Sequence, residues 1–201
     1  MNTFWQTMNK LLHIQSNKLE PKSGRVLIAE PLMGDYYFGR SVVLLIEHNN
    51  EDGTVGIVMN KPSGTMITDL INDFPEFQAP VYVGGPVQTD NLYFMHTLGG
   101  EVPESQEVIP GLYWGGEVEA IREMIVLGMV KPNQVRFFLG YSGWQSQQLH
   151  GELKRNSWLV SDTNLQSLFH TKSHKMWNHF MQRMGPEYDL WRKFPIDPEL
   201  N

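Results

Sequence analysis

Cysteine is absent from this chain of 201 residues. Without a thiol, the protein cannot form a disulfide, a thiolate metal site or a cysteine nucleophile. Long apolar runs are absent as well, since no stretch approaches the roughly 20 apolar residues that are needed to cross a bilayer. Residues 1–14 lack the basic start and the apolar core of a signal peptide. These absences favour a cytoplasmic protein without a membrane segment.

Basic runs are scarce too. The chain has 16 Lys and Arg against 22 Asp and Glu, a formal net charge of −6, and its longest basic run is Lys154-Arg155. Nucleic-acid binding usually depends on Lys and Arg that neutralise phosphates. Direct nucleic-acid binding is therefore not expected, although folding could still assemble a local basic face.

Large apolar side chains are plentiful, with six Trp, ten Phe and seven Tyr, so one core can form without disulfides or metals. We expect a single domain over residues 1–201 with its core at about 24–160. Residues 1–22 are predicted to form a helix and a polar linker, and residues 161–201 a helical extension. The N-terminal helix either covers the core or packs on a second subunit, and a homodimer is one form of partner that this allows.

Strand patterns begin at Gly24. Segments rich in Val, Ile and Leu, bounded by turn residues, predict strands. The polar turn that ends in Asp52-Gly53 predicts that the second and third strands form a hairpin. Because helices and strands alternate irregularly, we expect an α+β fold with a mixed or barrel-like sheet surrounded by helices. The predicted strands are Arg25–Ala29, Ser41–Glu47, Thr54–Asn60, Val81–Val83, Leu92–His96, Glu107–Ile109, Val135–Leu139 and Ser157–Val160, and the predicted helices are Met66–Asp73, Glu117–Leu127 and Trp144–Lys154.

Two glycine-containing segments follow predicted strands, as glycines do in known catalytic and phosphate-binding motifs. Gly140-Tyr141-Ser142-Gly143-Trp144 follows a predicted strand, as a serine nucleophile elbow does, but Trp144 stands where the elbow needs its second Gly. A tight turn that begins a helix is the better interpretation. Gly84-Gly85-Pro86 also follows a strand, but it lacks the residues of a P-loop or a dinucleotide fingerprint. A turn that requires positive φ explains it without a ligand.

Histidine and amide side chains are the remaining candidate ligands. His170 and His174 are four residues apart, which would place them on one helical face, but the intervening residues lack the Glu of a zinc-binding helix. We therefore expect no metal and no cofactor. His48 and Asn60 are expected at opposite ends of the hairpin, and Tyr36, Tyr37, Phe38 and Arg40 either line a cleft or close the sheet.

Gln148 and Glu152 are four residues apart on a predicted helix, so both project from one face. They either orient a ligand or satisfy backbone groups. The candidate ligand-binding residues are Asn60, Gly84, Gly85, Ser142, Gln148 and Glu152, and no catalytic residue is assigned.

Five blocks of residues follow one another between about residues 24 and 160. The blocks are Gly24–Pro31, Asp35–Leu45 with His48, Gly53–Pro62, Val83–Val87, and Gly140–Trp144 with Gln148-Leu149, Glu152-Leu153 and Trp158. Taken together, their order and spacing resemble the AlgH/YqgE family of bacterial proteins, although Gln147 and Thr54 depart from the family pattern, which usually has Gly and Ala there.

The resemblance implies a compact α+β fold with a small barrel-like core, and it implies no established enzymatic activity. One branch of the family is named as a transcriptional regulator, and the family usually has Ala where this chain has Ser142, which further weakens a serine nucleophile. The leading hypothesis is therefore a non-enzymatic regulatory or protein-interaction module. The alternative is a small-ligand-binding protein or hydrolase with a site near Gly84-Gly85, Gln148 and Glu152.

Overall fold

The structure is a computed structural model that describes residues 18–49 and 51–194. The predicted N-terminal helix and the tail beyond residue 194 lie outside the described residues. Within the described ranges, no helix is long and apolar enough to cross a bilayer.

Ten strands are formed by the described residues, and the segments rich in β-branched residues predict most of them. The predicted first strand has the observed bounds, whereas β4 and β8 are strands that the sequence patterns missed. The strands are β1 Arg25–Ala29, β2 Val42–Asn49, β3 Gly53–Val58, β4 Pro62–Met66, β5 Pro80–Val83, β6 Val87–His96, β7 Gln106–Ile109, β8 Leu112–Trp114, β9 Val135–Trp144 and β10 Trp158–Asp162.

Six α-helices accompany these strands in the described part of the chain. The helix predicted over Glu117–Leu127 forms one residue shorter at each end, and the helix predicted over Met66–Asp73 is reduced to a single turn. The helices are α1 Ile67–Leu70, α2 Val118–Val126, α3 Gln148–Lys154, α4 Leu165–Phe169, α5 Ser173–Met184 and α6 Asp189–Arg192.

The sheet runs in the order β10-β1-β2-β3-β9-β6-β8-β7, and β5 and β4 branch from β9. The predicted hairpin is present, because β2 pairs antiparallel with β3 from Val43↔Val58 to Asn49↔Gly53. Only β5 and β9 pair in parallel among the described strands, so the sheet is mixed and largely antiparallel. Its order ends at β10 and β7 without closing, so the α+β class is confirmed and the barrel-like closure is not.

Both faces of the β10-β1-β2-β3 region are buried. Val26 and Ile28 of β1 belong to one apolar cluster, Leu27 and Ala29 belong to another, and all four are fully buried. This two-sided burial explains why the strands are nearly continuous apolar runs. Helices α4, α5 and α6 cover the first face, and α3 with the loop before β2 covers the second. The predicted C-terminal helical segment thus packs directly on the sheet.

Strand β9 is longer than the sequence predicts, and this corrects the interpretation of Ser142. The predicted strand stops at Leu139 and a helix follows from Trp144, whereas β9 continues to Trp144 and α3 begins at Gln148. The extension occurs because the end of β9 pairs with β3, with Gly56 opposite Ser142 and Thr54 opposite Trp144. Ser142 therefore lies within a buried strand and not in a turn before a helix.

The predicted pairing of two histidines on one helix is also wrong. His170 is the C-cap residue that follows α4, whereas His174 lies in the first turn of α5. The two imidazoles therefore do not share a helical face.

Candidate functional site

Gly84, Gly85 and Ser142 meet where the chain leaving β5 crosses β9. A Cβ atom at Gly84 would lie 2.2 Å from the Gly140 carbonyl oxygen, and one at Gly85 would lie 2.3 Å from the Tyr141 carbonyl carbon. The Ser142 hydroxyl donates to the Gly84 carbonyl at 3.1 Å, and its side chain is fully buried. The close approach of the two backbones explains why residues 84 and 85 are glycines. The Ser142 hydroxyl stabilises the same crossing through its hydrogen bond to the Gly84 carbonyl.

Gln148 and Glu152 do share one face of α3, as predicted, and they form a hydrogen-bonded clasp. Glu152 Oε2 accepts from the indole nitrogens of Trp144 at 2.8 Å and Trp158 at 2.7 Å. Gln148 Nε2 donates to Glu152 Oε1 at 3.0 Å, and Gln148 Oε1 accepts from the Gln145 amide. The carboxylate thus joins β9, α3 and β10, and it satisfies two indole donors in the apolar cluster between them.

His48 lies beside Gln148, in a shallow depression of about 730 Å³ that Thr54, Tyr141 and Trp144 also line. His48 Nδ1 is 2.7 Å from the Thr54 hydroxyl. Burial lowers the pKa of His48, and the nearby Glu20 carboxylate partly opposes that effect. Asn60 does not line this depression, as expected from its place at the other end of the hairpin.

Asn60 follows β3 and holds the loop that precedes β2. Its Oδ1 accepts from the Val42 amide at 2.9 Å, and its Nδ2 donates to the Arg40 carbonyl at 3.0 Å. The side chain is buried and both ends of its amide are engaged. Asn60 therefore positions Arg40, which the sequence placed either in a cleft or at the end of the sheet.

A concave region beside Asn60 brings together residues that lie far apart in the chain. We call it the inner cleft, and its volume is about 440 Å³. Its charged or ionisable side chains are Asp35, Arg40, Lys61 and His174. The complete lining is Pro31, Met33, Gly34, Asp35, Gly39, Arg40, Asn60, Lys61, Ser173, His174, Trp177 and Asn178.

The aromatic residues before β2 divide between the core and the surface. Phe38 packs 5.4 Å from the Trp158 ring and 6.0 Å from the Trp144 ring, whereas the Tyr36 side chain is 79% exposed. Arg40 instead lies over the Trp177 ring at 4.7 Å. Sequence analysis missed Lys61 and Trp177 as cleft residues, because only the packing of α5 beside the β3–β4 connection brings them together.

A second concave region, the outer groove, adjoins the inner cleft at Asn178 and has a volume of about 720 Å³. Lys175 and Lys193 are exposed there. Arg192 forms an ion pair with Asp189 at 2.9 Å. The complete lining is Thr171, Lys175, Asn178, His179, Gln182, Asp189, Arg192 and Lys193.

Arg136 of β9 is a further residue that sequence analysis did not single out. Its guanidinium lies between the rings of Tyr82 and Phe169, 4.8 Å and 4.7 Å from their centroids. It donates to the carbonyls of Met59 at 3.2 Å and Leu168 at 3.1 Å. Burial lowers the pKa of this arginine, and Tyr82 opposes the shift. The side chain ties α4 to the sheet.

Metal ligands do not cluster in the described ranges, where no group of three or more His, Asp or Glu side chains could hold an ion. The six candidate residues separate into three places: the Gly84–Gly85–Ser142 crossing, the Gln148–Glu152 clasp and the Asn60 support of the inner cleft. They do not line one common cavity.

The fold and its polar contacts define an α+β protein with an open mixed sheet and a cationic cleft. The model of the AlgH-like family, DUF179, matches residues 26–189, and the chain belongs to this family. The resemblance seen in the sequence is thereby confirmed, and the match continues through α4 and α5 to the start of α6.

Relatives and solved structures agree with this assignment. The chain is 41% identical to a UPF0301 protein of Bacteroides thetaiotaomicron over 95% of this chain and 97% of that protein. It is 38% identical to a UPF0301 protein of Chlorobaculum parvum over 90% and 96%.

Two solved structures are similar to this fold. The crystal structure of protein DIP2367 from Corynebacterium diphtheriae has a TM-score of 0.72 at 27% identity, covering 90% of this chain and 95% of that chain. The solution structure of the AlgH protein from Pseudomonas aeruginosa has a TM-score of 0.68 at 28% identity, covering 89% and 98%.

Proposed function

We propose that this protein is a non-enzymatic regulatory or protein-interaction module that binds an acidic segment of a partner protein. The observation that carries the proposal is a continuous cationic face on a chain whose net charge is −6. The face consists of the inner cleft and the outer groove, which share Asn178. Its cations are Arg40, Lys61, Lys175, Arg192 and Lys193.

Most of these cations are not neutralised within the described residues. The ion pairs there join Arg25 to Asp162, Arg122 to Glu119 and Arg192 to Asp189. Arg40, Lys61, Lys175 and Lys193 form no direct ion pair in the described part of the chain, although the Asp35 carboxylate acts on Lys61 from a longer distance. Four unpaired cations along one concave surface favour a partner of the opposite charge, since complementary potentials accelerate encounter and set orientation.

An acidic protein fits this face better than a second copy of the chain or a nucleic acid. Two copies of the chain paired through the face would bring like charges together across a two-fold axis. Nucleic-acid binding depends on Lys and Arg that neutralise phosphates, usually in a strongly basic domain, whereas this chain is acidic overall.

The alternative of a ligand-binding or hydrolytic site near Gly84-Gly85, Gln148 and Glu152 has less support. The Ser142 hydroxyl is buried against the Gly84 carbonyl, and the Glu152 carboxylate accepts from two indoles. These groups already have structural partners, so a ligand would have to displace them. The cationic face needs no such rearrangement.

Fluorescence anisotropy with a labelled hexaglutamate peptide tests the proposal. We expect binding at low salt that weakens as salt is added, and at least a tenfold loss in the double variant Lys175→Glu/Lys193→Glu. The matched control is Lys154→Glu/Arg155→Glu, which makes the same charge change at exposed positions outside the face. An equal loss in both variants, or no binding by the wild type, would contradict the proposal.

A labelled DNA duplex and a labelled hexalysine peptide complete the experiment. Hexalysine should not bind to the face. If DNA binds more tightly than hexaglutamate and is lost in the Lys175→Glu/Lys193→Glu variant, the face recognises nucleic acid and the proposed protein partner is wrong.

A further inference from the structure

Lys61 directs an ammonium group into the inner cleft from the chain that joins β3 to β4. Its Nζ donates to the Gly39 carbonyl at 2.6 Å. An ammonium has three donors, so two remain for other acceptors. Burial lowers the pKa of Lys61, and the Asp35 carboxylate partly opposes the shift. The surrounding groups therefore offset only part of the free-energy cost of removing this ammonium from water.

Arg40 places a second cation at the cleft, in a backbone conformation that the rest of the site supports. Its φ is 52°, in the left-handed region that non-glycine residues seldom adopt. The Asn60 amide holds its carbonyl, and Trp177 lies beneath its guanidinium. One terminal nitrogen donates to the Phe194 carbonyl, whereas Nε is buried and makes no hydrogen bond within the described part of the chain.

The described lining of the inner cleft carries little negative charge, and that charge already accepts hydrogen bonds from backbone amides. Among the described lining residues only Asp35 carries a carboxylate, and its Oδ1 accepts from the amides of Tyr37 at 2.8 Å and Phe38 at 2.9 Å. Asp35 forms no ion pair with either cation. The rim adds the exposed side-chain amide of Asn178, which is a neutral donor.

We propose that the inner cleft binds an oxyanion, a carboxylate or a phosphate, between Lys61 and Arg40. This inference rests on the proposed function and extends it, because it makes the cleft the anchor for one acidic group of the partner. A volume of about 440 Å³ lies within the range of small-ligand pockets. An anion there would accept from the remaining donors of Lys61 and would add to the single counter-charge that Asp35 supplies to the two cations.

Isothermal titration calorimetry with inorganic phosphate, and separately with acetate and glutarate, tests the cleft at constant ionic strength set with chloride. We expect saturable binding of phosphate, of the carboxylates or of both, and the two arms distinguish the sources of the oxyanion. Lys61→Met and Arg40→Gln should each weaken binding at least tenfold. The control is Lys154→Gln, which removes an exposed cation outside the inner cleft and the outer groove and should leave the affinity within twofold of the wild type.

Folding of each variant is checked by its melting temperature, because Lys61 also holds the Gly39 carbonyl. Arg40→Lys is the second variant: it keeps the charge and should retain more affinity than Arg40→Gln. Heats that do not saturate, or equal affinities in the wild type and both neutral variants, would overturn the inference.

Failure of this inference is distinguishable from failure of the proposed function. If hexaglutamate binds through Lys175 and Lys193 while neither phosphate nor carboxylates bind, the face is used and the oxyanion pocket is refuted. If the small anions bind through Lys61 and Arg40 while hexaglutamate does not, the pocket is supported and the protein-interaction function is refuted.

Discussion

A single carboxylate, that of Glu152, joins three elements through hydrogen bonds to two tryptophans. Trp144 and Trp158 are 5% and 1% exposed, so their indole donors have little access to water. Hydrogen bonds to a charged acceptor contribute more than neutral ones, and a buried donor that loses its partner carries a desolvation penalty. The role of Glu152 is therefore to hold β9, α3 and β10 together.

Removal of this carboxylate should destabilise the protein. We expect Glu152→Ala to lower the free energy of unfolding by roughly 3 kcal/mol, since two indole donors lose their acceptor. Glu152→Gln keeps one carbonyl acceptor and should cost less. Gln148→Ala, which leaves both indole bonds in place, should cost no more than about 1 kcal/mol. Urea unfolding followed by circular dichroism measures all three, and a Glu152→Ala protein as stable as the wild type would refute the assignment.

His96 at the end of β6 is a fully buried histidine in a defined hydrogen-bonding environment. The Leu98 amide donates to its Nδ1 at 3.3 Å, so Nε2 carries the proton and donates to the Gly115 carbonyl at 3.2 Å. Burial lowers the pKa of His96, and the Gly115 carbonyl partly opposes the shift. The neutral ring is thus the form that the fold accommodates.

Stability should therefore fall as the solution becomes acidic. Because the folded pKa of His96 is below the unfolded value, the unfolded state takes up the proton first, and stability is lost as pH falls below about 6.5. The slope from this one group is at most about 1.4 kcal/mol per pH unit. His96→Gln should flatten the dependence between about pH 7.5 and 5.5 in urea titrations. His150→Gln, at an exposed position, controls for the substitution, and an unchanged slope in His96→Gln would refute this origin.

At the scale of the elements, β9 organises the sheet because it pairs with three strands along its length. β6 lies on one side, and β5 and then β3 lie on the other. The chain that leaves β5 passes close to the backbone of β9, at the point where β3 begins to pair with β9. Gly84 donates to the Leu139 carbonyl at 2.8 Å and accepts from the Val58 amide at 2.9 Å, so its backbone bridges both neighbours.

A methyl group at this crossing should separate the strands. Gly84→Ala places a Cβ atom 2.2 Å from the Gly140 carbonyl oxygen, and neither backbone can move without loss of sheet hydrogen bonds. We expect a loss of more than about 2 kcal/mol, or a failure to fold. Gly100→Ala is the matched control, because no atom lies within 4 Å of the added Cβ atom. Melting temperatures compare the two, and equal values would show that the crossing is not tight.

Sequence patterns predicted the elements whose residues carry a local signal. β1 has its predicted bounds because its five residues are apolar or long-chained and turn residues lie on both sides of them. α2 is predicted by the helical spacing of its apolar residues. The end of β9 was predicted incorrectly because Gly140–Trp144 contains two glycines, and only pairing with β3 makes it a strand. The Glu152 clasp was partly predicted, since Gln148 and Glu152 do share a helical face.

The inner cleft was harder to predict, because its cations come from separate loops and its Trp177 from α5. Arg40 was noted as a possible cleft residue next to three aromatic residues, but nothing in its neighbourhood points to Lys61 or Trp177. The spacing of apolar residues indicates which side of a helix or strand is buried. It does not indicate which loops meet when distant elements pack.

At the scale of the whole molecule, the C-terminal helices complete the core and also build the cationic face. Trp177 shows both roles: it is 3% exposed, its indole donates to the Ala29 carbonyl at 2.8 Å, and its ring lies beneath Arg40. The same α5 helix presents Lys175 to the outer groove. Stability of the sheet and geometry of the proposed binding surface are therefore coupled.

This coupling predicts that a chain truncated after Asn164 will not retain the fold. The loss of α4, α5 and α6 uncovers the apolar face that Val26, Ile28 and Leu44 share with Phe180 and Met181. We expect strong binding of a hydrophobic dye and no cooperative thermal transition in the truncated chain, since no other α-helix of the described residues packs on that face. Phe180→Ala in the full chain should cost about 3–5 kcal/mol, whereas Lys175→Ala, on the exposed side of α5, should stay within about 0.5 kcal/mol of the wild type. A truncated chain that melts cooperatively near the wild-type temperature would show that the sheet is stable without these helices. The helices would then contribute to the cationic face but not to the stability of the sheet.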